Sequence, residues 1–165
     1  MVLVTLAEAE EVISRPKFLI QDMVWKGKHN KVKIDWLESR MLIQFSGEFE
    51  VPEQLLVICE WKKRIGRRSE KWTFSLLYQD IRIYALDFHP DDSHKNNKGV
   101  GRKMYQSLFY GAHEHTYSED GYGYAEPISL DPEKPGVMWE IFSKRAGIEK
   151  ADFNHPDQGE PELPL

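Results

Sequence analysis

The sequence predicts an α+β domain: a curved antiparallel β-sheet of about six to seven strands with an N-terminal and a C-terminal helix. Three observations carry that reading. Apolar residues recur at three- and four-residue spacing only near the two ends. Between them the period is two. The strand-forming runs are joined by short connections, which favours neighbouring antiparallel strands over parallel crossovers.

Thr5-Leu6-Ala7-Glu8 has the form of a capping box, and Leu6, Ala9, Val12 and Ile13 make the apolar stripe of a helix that Pro16 stops. Phe18–Trp25 reads as the first strand and Lys26–Asn30 as a turn. Val32, Ile34 and Trp36 alternate with Lys31, Lys33 and Asp35, which describes a half-buried strand. Met41–Ser46, Gln54–Trp61, Thr73–Tyr78 and Arg82–Phe88 follow as strands. Gln79-Asp80 is short enough to close a hairpin between the last two. A polar loop spans His89–Lys103, a strand runs through His113–Tyr117, and Tyr122–Ile128 is extended. The closing helix covers Val137–Ala146, with Gly147 as its C-terminal cap. Residues 1–150 are therefore one domain, and 151–165 form an acidic, proline-rich tail expected to be disordered.

With 165 residues, 41% of them hydrophobic, the chain can bury a single core. It carries a net charge of -5, and no apolar run approaches the ~20 residues of a membrane helix, so no membrane partner is expected. The lone cysteine, Cys59, cannot form an internal disulfide, and the N-terminus lacks the features of a signal peptide. Together these point to the cytoplasm.

Charge is unevenly placed. Lys62, Lys63, Arg64, Arg67, Arg68 and Lys71 face a single anion, Glu70, within ten residues, with Trp61 and Trp72 at the two ends. Cations that follow a phosphate backbone, with indoles able to stack on bases, form a candidate nucleic-acid-binding hairpin. A basic turn that protects a sheet edge is the plainer alternative.

Four of the six histidines, His89, His94, His113 and His115, fall within 27 residues. His113-x-His115 on a strand places both imidazoles on one face. Imidazoles titrate near neutrality, so such a pair can act as general base and acid, or as metal ligands. His94 and Asn96 in the preceding loop are placed to close over that face, and Asp87 and His89 could add a carboxylate and a further nitrogen. The cofactor is open: none, or a divalent metal held by His94, His113 and His115 in a three-histidine site.

These motifs resemble those of a family of small, uncharacterised bacterial proteins. Its members carry an N-terminal "LTxxEAxxLI" helix, then H-x-N, H-x-H-x-Y, E-G-x-G and W-A-x-P, and a closing helix. Here the corresponding residues are Val4–Ile13, His94-x-Asn96, His113-x-His115-x-Tyr117, Glu119–Gly123 and Tyr124-Ala125-Glu126-Pro127. The chain departs from the pattern in a longer loop between His94 and His113 and in Tyr124 where tryptophan stands. The resemblance spans about Val4 to Ile148 and implies a bacterial or phage origin. It marks His94, Asn96, His113 and His115 as the signature and implies no reaction.

The leading expectation is a hydrolase: histidine-dependent phosphodiester cleavage of RNA by a toxin or defence-linked nuclease. In it His113 and His115 serve as base and acid, His94 and Asn96 attend the phosphate, and the basic hairpin holds the backbone. The alternatives are a non-catalytic module that binds a cognate protein (an inhibitor, antitoxin-like or phage anti-defence protein) and a metal-dependent hydrolase of a small molecule.

Overall fold

The computed structural model of the protein describes residues 3–28, 36–52, 54–149 and 151–157. Helix α1 covers Leu6–Ser14, and Thr5 caps it by accepting from the Glu8 amide at 3.1 Å. Strands β1 (Lys17–Leu19), β2 (Lys26–Gly27), β3 (Trp36–Phe45), β4 (Leu55–Lys62), β5 (Lys71–Tyr78) and β6 (Ile81–Phe88) follow. Next come β7 (Ser93–Lys95), β8 (Leu108–Tyr110), β9 (His113–Thr116) and β10 (Ala125–Pro127). Helix α2 (Pro135–Arg145) and β11 (Ile148–Glu149) close the chain.

The main sheet has nine strands among the described residues, in the order β10-β9-β6-β5-β4-β3-β1-β11, with β2 also paired to β3. It is antiparallel except where β1 meets β11. The four long strands β3 to β6 form the expected meander, and Gln79-Asp80 makes the tight turn between β5 and β6, both residues at positive φ. Strands β7 and β8 pair with each other as a separate ribbon.

The sheet is larger than the six to seven strands expected, because several short strands carry too little sequence to show a period. The expected strand Phe18–Trp25 is also corrected. Only Lys17–Leu19 pairs, and beyond Ile20 the side chain of Gln21 accepts the Leu42 amide at 2.8 Å in place of the backbone. Lys26-Gly27, expected in a turn, joins the edge of β3. Val32 and Ile34 lie outside the described residues.

Register separates the two faces of the sheet. Met41, Val57, Cys59, Trp61, Trp72, Phe74, Leu76 and Leu86 lie on one face and are buried. Helix α2 covers this face with Met138, Trp139 and Phe142, and Phe142 packs on Phe74 and Tyr84. Gly147 follows α2 at φ +75°, and a Cβ there would stand 2.6 Å from the Ile13 carbonyl, so the junction of the two helices admits only glycine. Residues 151–157, expected to be disordered, lie on the same apolar face. Phe153 and His155 pack against Trp72, Trp25 donates to the Asn154 carbonyl, and Trp139 donates to the Ala151 carbonyl.

The opposite face is polar yet buried. One register row crosses five strands as Glu38, Glu60, Thr73, Asp87 and His113, and the next carries Arg40, Ile58, Ser75, Ala85 and His115. Glu60, Thr73, Ser75, Asp87, His113 and His115 are all buried. Buried polar groups need partners, and the partners found here define the site.

Candidate active site

Strand β9 places His113 and His115 on the polar face and Glu114 on the other, as the period of two requires. Strand β6 brings Asp87 opposite His113. The Asp87 Oδ2 lies 3.1 Å from Nε2 of His113 and 3.1 Å from Nε2 of His115. The β7–β8 ribbon folds His94 over the pair. The rings of His94, His113 and His115 are mutually 4.8–5.0 Å apart, and one nitrogen from each lies within 4.8 Å of the others. The three histidines thus converge. His89 is beside them, 6.2 Å from the His113 ring, and shares a 2.8 Å hydrogen bond with Thr73.

Asn96 takes a different role from the one expected. It is fully buried. Its Nδ2 donates to the carbonyls of Met104 and Ala125, and its Oδ1 accepts from the Ala125 amide and from His94 Nε2 at 3.0 Å. With its amide consumed inside the fold it has no group left for a phosphate. It is a positioning residue that ties the His94 ribbon to β10.

That network also fixes the tautomer of His94. Its Nε2 faces two acceptors, Asn96 Oδ1 and the Gly123 carbonyl, both at 3.0 Å, so Nε2 carries the proton. His113 has Nδ1 2.8 Å from the Gly111 carbonyl and Nε2 against Asp87. Both partners only accept, so with no cation between His113 and Asp87 both ring nitrogens are protonated.

The electrostatics follow. Burial opposes charge on His113, but the hydrogen bond to Asp87, the Asp87 charge and the Gly111 carbonyl outweigh it and raise its pKa above the ordinary histidine value. Burial lowers the pKa of His94, reinforced by His115 and His113. Burial also lowers that of His89, against the pull of Asp87. Burial works to raise the Asp87 pKa, yet hydrogen bonds from His113 and His115 hold it well below the usual carboxylate range. Neighbouring imidazoles with pKa values driven apart are the arrangement that acid–base chemistry uses.

Two buried atoms in this cluster have no hydrogen-bond partner among the described residues: Asp87 Oδ1 and His115 Nδ1. Aromatic rings wall the cluster. Tyr122 lies 4.8 Å from His115, and Phe109 lies 5.4 Å from His94 and 5.6 Å from His113. Arg82 donates to the buried Glu60 at 3.2 Å. A bulge at Leu76/Leu77 puts Arg82 opposite Leu77, on the polar face. Sequence reading did not single out Arg82, because the bulge that turns it inward has no local signature.

The basic hairpin emerges from the same end of the sheet. Lys62 pairs in register with Lys71 on the polar face, two residues along the strands from Glu60 and Thr73. Lys63, Arg64, Arg67 and Arg68 are exposed around a tight turn at Gly66. Lys71 is bound to Asp92 at 2.6 Å, and Asp91 accepts the Ser69 amide, so the loop after His89 is stitched to the hairpin.

Trp61 and Trp72 do not belong to a nucleic-acid surface. They alternate with Lys62 and Lys71 and therefore enter the apolar face, where they are 4% and 0% exposed and pack on each other with ring centroids 5.7 Å apart. Neither can stack on a base.

A cleft of about 770 Å³ opens on the other face of β9, lined by Tyr84, Arg102, Glu114, Thr116 and Arg145 among others, and none of the site histidines lines it. Glu114 is held there by Tyr84 and Arg145. No helix among the described residues is long and apolar enough to cross a membrane. No family model, curated protein or solved structure matches the chain.

Proposed function

We propose that the chain cleaves phosphodiester bonds in RNA at the cluster of His94, His113 and His115. The observation that supports this most is the sharing of one sheet face by cations and imidazoles: the Lys62–Lys71 row lies next to the row of Thr73, Asp87 and His113. In this reading the exposed Lys63, Arg64, Arg67 and Arg68 follow the RNA backbone. His94, the half-exposed member of the trio, meets the reacting phosphate. The buried His113 and His115 act from beneath through Asp87. The setting is a toxin or a defence-linked nuclease of a bacterium or phage.

Purified protein incubated with a mixed RNA pool, with and without added zinc, should generate fragments. His113→Ala should cut at least ~10²-fold more slowly while keeping its circular dichroism. Intact RNA under both conditions sinks the reading.

Burial of His113 and His115, at 4% and 5% exposure, favours a second reading in which the cluster is structural and the chain is a protein-binding module. Phe49, fully exposed beyond β3, would suit such an interface. Capture of one stoichiometric protein partner, undiminished by His113→Ala, would support it over cleavage. A small-molecule hydrolase would use the same histidines and would be insensitive to substitutions at Arg64 and Arg67.

A further inference from the structure

The geometry points to a zinc site formed by one ring nitrogen each of His94, His113 and His115, with Asp87 beside the ion and one coordination position open.

In two of the three imidazoles one nitrogen is tied to a backbone or amide acceptor. His113 Nδ1 donates to Gly111, and His94 Nε2 donates to Asn96 and Gly123. Metal-ligating histidines show this pattern: the second N–H is held by a carbonyl, an amide or a carboxylate, which fixes ring and tautomer and directs the other lone pair at the ion.

His115 Nε2 meets the same Asp87 oxygen as His113 Nε2, at 3.1 Å. His94 Nδ1 has no hydrogen-bond partner among the described residues. His113 Nε2 points its lone pair at a carboxylate oxygen 3.1 Å away, an arrangement that only a proton or a cation between them makes favourable. The three rings are close enough to share one ion. One nitrogen of each already lies within 4.8 Å of the others, and ligands about 2.0–2.1 Å from a tetrahedral zinc are ~3.3 Å apart, so small ring rotations close the site.

Three imidazoles without a thiolate, in tetrahedral reach, select zinc over magnesium or calcium, which prefer oxygen. Three protein ligands leave the fourth position to water, as in catalytic zinc sites. The unpartnered Asp87 Oδ1 gains a donor from that water.

The site rests on the cleavage reading for its substrate and would give the three histidines the role of ligands in place of direct contact with the phosphate. With zinc held there, a bound water would be the nucleophile at phosphorus, Asp87 would take its proton, and the departing ester oxygen would take that proton back as the P–O bond breaks. Zinc binding itself does not depend on RNA being the substrate.

The full chain, stripped with a chelator and dialysed, is titrated with zinc by calorimetry and with cobalt by visible spectroscopy. The proposal expects one ion per chain, tetrahedral cobalt bands, and loss of at least ~10²-fold in affinity for His94→Ala and His113→Ala, with His155→Ala unchanged. His94 sits on the separate β7–β8 ribbon, so His94→Ala reads the site even where His113→Ala fails to fold. Absence of stoichiometric uptake by the wild type, or undiminished uptake by His94→Ala, overturns the proposal. Zinc bound with RNA left intact supports the site and removes only the RNA reading. RNA cleaved by chelator-treated protein that takes up no zinc removes the site and leaves the cleavage reading standing.

Discussion

Asn96 spends every hydrogen-bonding atom of its amide inside the fold, on Met104, Ala125 and His94. Asn96→Ala would leave the buried Ala125 amide without its acceptor and free the His94 ring, costing about 1–3 kcal/mol for each buried group left unpaired. It should also weaken zinc binding by roughly 10–100-fold, as loss of a ligand-orienting partner does. Unfolding and zinc titration on the same variant check both, and unchanged affinity would show that Asn96 does not orient the ligand. The residue was legible in the sequence as part of H-x-N, but its role was not, because burial is a property of the ribbon that carries it. Lys17 makes a separate case. It is fully buried, and its ammonium donates to the carbonyls of Val12, Ile13 and Arg15 at the end of α1. Burial, followed by the charge of Arg15, lowers its pKa from 10.5 to about 8. Between these values the unfolded chain binds more protons than the folded one, so the stability this residue contributes rises with pH across that window. Compared by urea unfolding at about pH 7.5 and about pH 9.5, the wild type should gain on Lys17→Met at the higher pH. An unchanged difference would contradict the shift.

At the scale of elements, the β4–β5 hairpin shows how far alternation can be read. Its strands, its turn and its exposed cations follow from the sequence pattern. Which face received Trp61 and Trp72 did not, since indoles suit both a core and a base-stacking surface. Helix α2 and the segment 151–157 decided it by covering the apolar face. On the RNA reading, Arg64→Ala with Arg67→Ala should lower affinity and reduce the slope of log K against log salt by roughly 0.7 for each phosphate no longer neutralised. Trp72→Phe should lower stability and leave that slope alone. A binding assay at several salt concentrations separates the two, and a salt slope that follows Trp72 would return the indole to the interface. The pairing of His113 and His115 was readable for a firmer reason: residues two apart on a strand share a face whatever its register. The β7–β8 ribbon was not readable, because Ser93–Lys95 and Leu108–Tyr110 are three residues each, too short for a period, and pair across an irregular loop.

Across the whole molecule, the fold gives each sheet face one task. The apolar face holds the helices, Trp25, Trp61, Trp72 and residues 151–157. The polar face gathers Asp87, His89, His113 and His115, and the ribbon closes on it with His94. The class of fold was legible because helical spacing stops where strand spacing starts. The excess of strands was not, since edge strands such as β2 and β11 are two residues long and exist only through their neighbours. The convergence of three histidines from two separate elements is a tertiary fact that their spacing in the sequence could only suggest. It is also the central claim of the account, and nitrogen-15 NMR of the histidine rings in zinc-loaded protein tests it most directly. The account predicts protons on Nδ1 of His113 and on Nε2 of His94, with Nε2 of His113 and one nitrogen each of His94 and His115 shifted by the ion. Ring signals unmoved by zinc, or a proton found on His113 Nε2 in the loaded protein, would contradict it.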